Sequence, residues 1–147
     1  MVDQATEQMV VGASPERTWE VLTNFPDYPI WAHDLKSVTV LEHDDEGRAL
    51  LVRFRAAAMG RSTSYTLRYD FSDAPRVLAW KLEDGDITRA LDGSYELRPV
   101  DGRTGQTEVI YQLTVDLVIP LPGFVKRRAE ARLMHTALRG LRDYLEK

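Results

Sequence analysis

The strongest constraint on this chain is an alternation of apolar and polar residues that restarts six times between residues 36 and 119. The runs read "KSVTVLEH", "ALLVRFRAA", "STSYTLRYDFS", "VLAWKLE", "ITRALDGSYELR" and "TEVIYQLTVDLVI", parted by "DDEG", "MGR", "DAPR", "DGD" and "DGRTG". A period of two is the signature of half-buried strands, and Asp-Gly, Gly and Pro punctuation suits tight links between antiparallel neighbours. "ATEQMVV" near the start adds a seventh strand. A single long amphipathic helix follows, starting at "LPGF" with Pro122 in its first turn and running to about Leu145. Leu121, Val125, Met134, Leu138, Leu141 and Leu145 fall near one face of it. That face needs an apolar surface, and the sheet is the one large surface on offer. The expected class is α+β: a curved antiparallel sheet of seven strands closed over one helix.

Between the first two strands lies "SPERTWEVLTNFPDYPIW". Ser14 is a good N-cap, Pro15 suits the first helical position, and Glu16 meets the positive end of the helix dipole. Trp19, Val21, Leu22 and Phe25 continue a helical stripe. Pro26 and Pro29 then interrupt it, so Tyr28, Ile30 and Trp31 are expected in a compact segment instead of a long helix.

The composition narrows the classes of function. Apolar residues make up 44% of the 147, charged residues 29%, and the net charge is -4. These values fit one folded domain spanning 1–147 and argue against nucleic acid as the main partner. No apolar run reaches the roughly 18 residues a spanning helix needs, and no signal peptide is read at Met1 to Gln4. Cysteine is absent, which removes disulfides, thiolate metal sites and a cysteine nucleophile and sits easily with a cytoplasmic location. From Lys126 to Lys147 seven basic residues face three acidic ones, so this tail carries +4 and the remainder -8. Such a helix either presents a solvated polar face or makes weak contact with an anionic membrane.

Strict alternation puts Leu50, Val52, Phe54 and Ala56 on one face, then Tyr65, Leu67, Tyr69 and Phe71, then Leu78, Trp80 and Leu82, then Val109, Tyr111, Leu113 and Val115. Long strands must twist, and Gly93 offers a place to bend. A bent sheet over one helix tends to leave a cavity. The tyrosines on its faces favour a wet or ligand-filled one, since a buried phenol needs a partner. The same alternation sets Arg89 beside Leu91, Tyr95 and Leu97. A guanidinium there must pair, snorkel past the "DGD" turn, or meet a ligand oxygen; Arg128 and Arg132 are weaker candidates of the same kind. His33, His43 and His135 lack a second ligand at metal spacing, and no nucleophile elbow, phosphate loop or dinucleotide fingerprint occurs, so neither a metal nor a cofactor is expected.

Several phrases, "SPERTWEVL", "FPDYPIW", "DGSYEL" and "IPLPGFVKRRAE" leading into "LRGLRDYLEK", resemble the START-like superfamily. The branch is similar to the polyketide cyclase/dehydrase group and its coenzyme-Q-binding relatives, over nearly the whole chain. This resemblance implies a helix-grip fold with two short helices after the first strand and an elongated hydrophobic pocket. Its mouth would be formed by Tyr28 to Trp31 and the "PLPGF" turn, with Trp31 either a gate or a plug of the sheet edge. Strand alternation and the resemblance together give the expected ligand-binding residues: Tyr28, Trp31, Phe54, Tyr65, Tyr69, Trp80, Arg89, Tyr95, Tyr111, Phe124 and Arg128. Three functions follow as alternatives: a carrier of a lipid, quinone or polyketide-like molecule, a cyclase-dehydratase using Arg89 and a Tyr on enolate oxygens, or an interaction protein using its basic helix. The chain is expected to be a monomer or homodimer.

Overall fold

The computed structural model describes residues 3–58, 60–118 and 122–147. The order of elements is β1 (Asp3–Val11), α1 (Pro15–Thr23), a 3-10 turn (Phe25–Asp27), α2 (Tyr28–Trp31), β2 (Leu35–His43), β3 (Ala49–Ala58), β4 (Arg61–Asp70), β5 (Val77–Gly85), β6 (Thr88–Val100), β7 (Arg103–Leu117) and α3 (Gly123–Leu145). The strands form one antiparallel sheet in the order β1-β7-β6-β5-β4-β3-β2. Five hairpins run consecutively from β2 to β7, and β1 closes the far edge against β7. The connection from β1 to β2 therefore spans the width of the sheet, and α1 and α2 lie along it.

Local chemistry explains that connection. The Ser14 side chain accepts a hydrogen bond from the Arg17 amide at 3.2 Å, and Pro15 opens α1. Pro26 and Pro29 each stand in the first turn of a new helical element. As expected, the prolines break the helical stripe into a compact segment of short helical elements in place of one long helix. A missing N–H is harmless at a helix start, so each proline restarts the helix in a new direction.

At Gly93 the sheet leaves no room for a side chain: a Cβ would lie 2.5 Å from the Gln112 carbonyl oxygen and 2.8 Å from Trp80 Cζ2. Beside it, β5 and β6 pair only from Val77–Glu96 to Trp80–Gly93. Farther on, the Asp92 carboxylate accepts the Leu82 amide at 2.9 Å in place of a backbone carbonyl. Met134, Leu138 and Leu141 of α3 are fully buried against the inner face, with Val52, Leu78 and Val109. Each such side chain contributes about 1.5–3 kcal/mol, enough to dock a helix whose other faces are strongly basic. Pro122 caps α3 from just outside it. Ile119, Pro120 and Leu121, which carry the expected end of the last strand and part of the "PLPGF" mouth, lie outside the described residues.

Candidate functional site

Between the sheet and α3 the structure leaves a cavity of about 170 Å³. Its wall is an almost continuous run of aromatic rings. Phe54 stacks on Tyr65 at 5.4 Å and 20°, and Tyr28 sits 6.0 Å from Phe54 and 4.7 Å from Trp31. Tyr69 lies 5.9 Å from Trp80, Trp80 5.2 Å from Tyr95, and Tyr95 4.5 Å from Tyr111. Leu67, Leu91 and Leu113 fill the spaces between them, and Leu133, Thr136 and Ala137 of α3 complete the wall. The exposed members of the wall are His33, Asp34, Ala57 and Leu133, and they mark where the cavity reaches the surface. Two backbone bonds hold this rim: Ala57 N–H to the Asp34 carbonyl at 2.8 Å and Val118 N–H to the Ile87 carbonyl at 2.7 Å. Thr63 Oγ1 donates to Asp86, which also accepts the Ser64 amide at 3.0 Å. These bonds, that from Thr63 foremost, hold the Asp86 carboxyl below its usual range.

The polar groups of the interior are mostly hydroxyls, which can donate or accept. Tyr28 Oη donates to the Leu22 carbonyl at 2.5 Å, and the Tyr95 and Tyr111 hydroxyls hydrogen-bond to each other. Among the described residues, the buried indole N–H of Trp31 has no hydrogen-bond partner. Burial pushes all five phenols above their ordinary range. The neighbouring phenols add to this for Tyr69, and the Asp34 charge adds to it for Tyr65. At neutral pH these groups are therefore donors and not bases. No lysine or arginine stands among the described residues of the wall, and no group of three or more His, Cys, Asp or Glu able to hold a metal occurs among the described residues.

Eight of the expected wall residues do line the cavity: Tyr28, Trp31, Phe54, Tyr65, Tyr69, Trp80, Tyr95 and Tyr111. Arg89 does not. The ladder pairs Thr88 with Leu117 and Ala90 with Asp116, so Arg89 is the extra residue of a β-bulge. The bulge shifts the alternation by one: Thr88 turns inward to the wall and Arg89 is exposed. Phe124 is 62% exposed on the first turn of α3, and Arg128 and Arg132 are exposed on the helix's outer side. Ile30 is 54% exposed and is no part of the wall, while Trp31, at 2%, belongs to the interior and not to an outer rim. Of the residues that alternation missed, Thr63 was reachable by extending the Tyr65–Leu67–Tyr69 face one step. His33 and Asp34 sit in an irregular link with no periodic signal.

A seven-stranded curved sheet gripping one long helix over an aromatic cavity is the START-like, helix-grip arrangement. The chain belongs to the polyketide cyclase / dehydrase and lipid transport family, whose model matches residues 3–146. No curated protein matches it in sequence. It is similar in structure to a START superfamily protein from Mycobacterium smegmatis, with a TM-score of 0.90, 20% identity and 97% of each chain covered. It is also similar to the Zhui aromatase/cyclase of a Streptomyces species, with a TM-score of 0.83, 18% identity, and 99% of this chain and 94% of that one covered. Against a di-domain aromatase/cyclase of the BE-7585A biosynthetic pathway it has a TM-score of 0.75 and 17% identity, covering 98% of this chain and 46% of that one. Among the described residues no helix is long and apolar enough to cross a membrane.

Proposed function

We propose that this chain is a carrier that holds a neutral, largely apolar small molecule between its sheet and α3. The observation that carries this reading is the wall itself: aromatic rings and aliphatic side chains, with no described lysine or arginine and no ready base inside. The cavity, about 170 Å³, is close to the ~150 Å³ that admits one benzene ring. Drug-sized ligands occupy ~300–1,000 Å³, so a lipid, quinone or polyketide-like molecule enters by one end or as α3 and the rim move apart. The lack of cysteine fits a reducing compartment, and the cytoplasm is the location proposed.

A cyclase-dehydratase acting on a poly-β-ketone is the second reading. It is favoured by the family's description and by phenol donors that could stabilise enolate oxygens. With Arg89 outside the wall, proton transfer would fall to His33 and Asp34 at the opening. Native mass spectrometry of the purified protein, with Nile red titration of the emptied form, tests the first reading. An apolar molecule released unchanged supports a carrier, and no adduct together with no dye binding overturns it. Conversion of a poly-β-ketone mimic to a cyclised, dehydrated product supports the enzyme.

A further inference from the structure

The cavity leaves the outer face of α3 without a role. Arg128, Arg132, His135 and Arg139 recur every three or four residues, so they stand in one row along that face, and all four are exposed. Arg128 and Arg139 are about 16 Å apart along the axis. Neither acid of the helix interrupts the row: Glu130 is buried, and Asp143 lies beside Arg142 at 3.5 Å. Just past the helix end, Glu146 is tied to the Gly12 amide at 2.8 Å. Among the described residues Arg128, Arg132 and Arg139 form no ion pair. Like charges four residues apart destabilise a helix, yet this row sits on the +4 segment of a chain whose remainder carries -8. Its charge is matched by an extended anionic surface outside the molecule.

Two neighbours say which surface. Phe124, 62% exposed, stands four residues before Arg128 and heads the same row. Most of the apolar face of α3 is taken up by the core, so attachment is electrostatic in the main, with this one ring free to enter a headgroup layer. On the flank of the row, Leu133, Thr136 and Ala137 line the cavity, and Leu133 is 41% exposed at its opening. A bilayer meeting this side of the helix lies next to the opening.

We propose that the outer face of α3 docks on an anionic lipid surface, with Arg128, Arg132 and Arg139 on the headgroup charges and Phe124 in the headgroup layer. It rests on the carrier reading in one respect: an apolar cargo concentrates in a bilayer, and the docked helix brings the opening to it.

Sedimentation with sucrose-loaded vesicles tests it, using phosphatidylcholine alone and phosphatidylcholine mixed with phosphatidylglycerol. The wild type should sediment with the mixed vesicles and not with the neutral ones, and high salt should release it. Arg132→Gln and Arg139→Gln should each weaken partitioning by about fivefold, the worth of one basic residue near an anionic surface, and the triple variant Arg128→Gln/Arg132→Gln/Arg139→Gln by about a hundredfold. Phe124→Ser should weaken it while leaving the salt dependence unchanged. All these positions are exposed, so the variants should melt like the wild type and bind Nile red alike without vesicles. No sedimentation with the mixed vesicles, equal sedimentation with both kinds, or a triple variant that sediments like the wild type overturns the proposal. Binding to soluble polyglutamate without binding to vesicles overturns it in favour of an acidic protein. A dimer in light scattering that the triple variant loses, with vesicles left unbound, overturns it in favour of a second copy. None of these outcomes touches the carrier reading, which stands or falls on the dye titration without vesicles.

Discussion

The backbone carbonyl of Trp31 is pressed against α3 at Gly140: a Cβ at that position would lie 2.0 Å from the Trp31 oxygen and 3.1 Å from its carbon. This is where the segment carrying Tyr28 and Trp31 docks on the helix that closes the cavity. Two effects of Gly140→Ala oppose each other. Helix propensity alone favours alanine by about 1 kcal/mol. The clash is with backbone, which no rotamer change relieves, and overpacking of this kind costs about 1–3 kcal/mol. Net destabilisation is expected in urea unfolding, with weaker Nile red binding as Trp31 is displaced. A stabilised variant would mean that the two helices do not touch here.

Trp31→Ala should be costly. The ring is buried and packs 4.7 Å from Tyr28, so its loss should lower stability by about 3–5 kcal/mol. Probe affinity should change with it, because the same ring is both core and wall. Trp31→Phe should recover most of the stability. A variant Trp31→Ala with an unchanged Tm would restore the idea of a free-standing gate.

Alkaline pH should unfold the protein through its tyrosines. Tyr28, Tyr65, Tyr69, Tyr95 and Tyr111 all have folded values raised above the ordinary 10, chiefly by burial. The unfolded chain therefore loses these protons first. Their contribution to stability is complete below about pH 10 and drains away as pH climbs toward the folded values. Tyrosinate absorbance should rise together with the loss of near-ultraviolet circular dichroism. Gradual ionisation of all five groups with the fold intact, beginning near pH 10, would contradict their burial.

Arg89→Leu should do little. The side chain is exposed at a bulge, so stability should move by less than about 0.5 kcal/mol. Nile red should bind as before. A loss of dye binding would mean that the guanidinium reaches the opening after all.

Local patterns foretold much of this molecule because the forces behind them are local. A pleated strand sends alternate side chains to opposite faces, so Phe54, Tyr65, Tyr69, Trp80 and Tyr111 could be assigned to one wall from spacing alone. The Ser14 cap is likewise a short-range matter of hydrogen bonding.

The failures all involve a partner distant in sequence. Arg89 leaves the wall because β7 offers one residue opposite two of β6, and nothing in "DITRAL" announces that mismatch. Phe124 and Arg128 are expected on the wall, yet the first turns of α3 leave both exposed. His33 and Asp34 reach the opening only because the link after α2 lies beside β3. By itself, the sequence determined which residues could line a cavity, through the fixed alternation of the strand backbone. Only the tertiary structure decided which of them do, since a bulge and a glycine contact between helices exist only once separate elements meet.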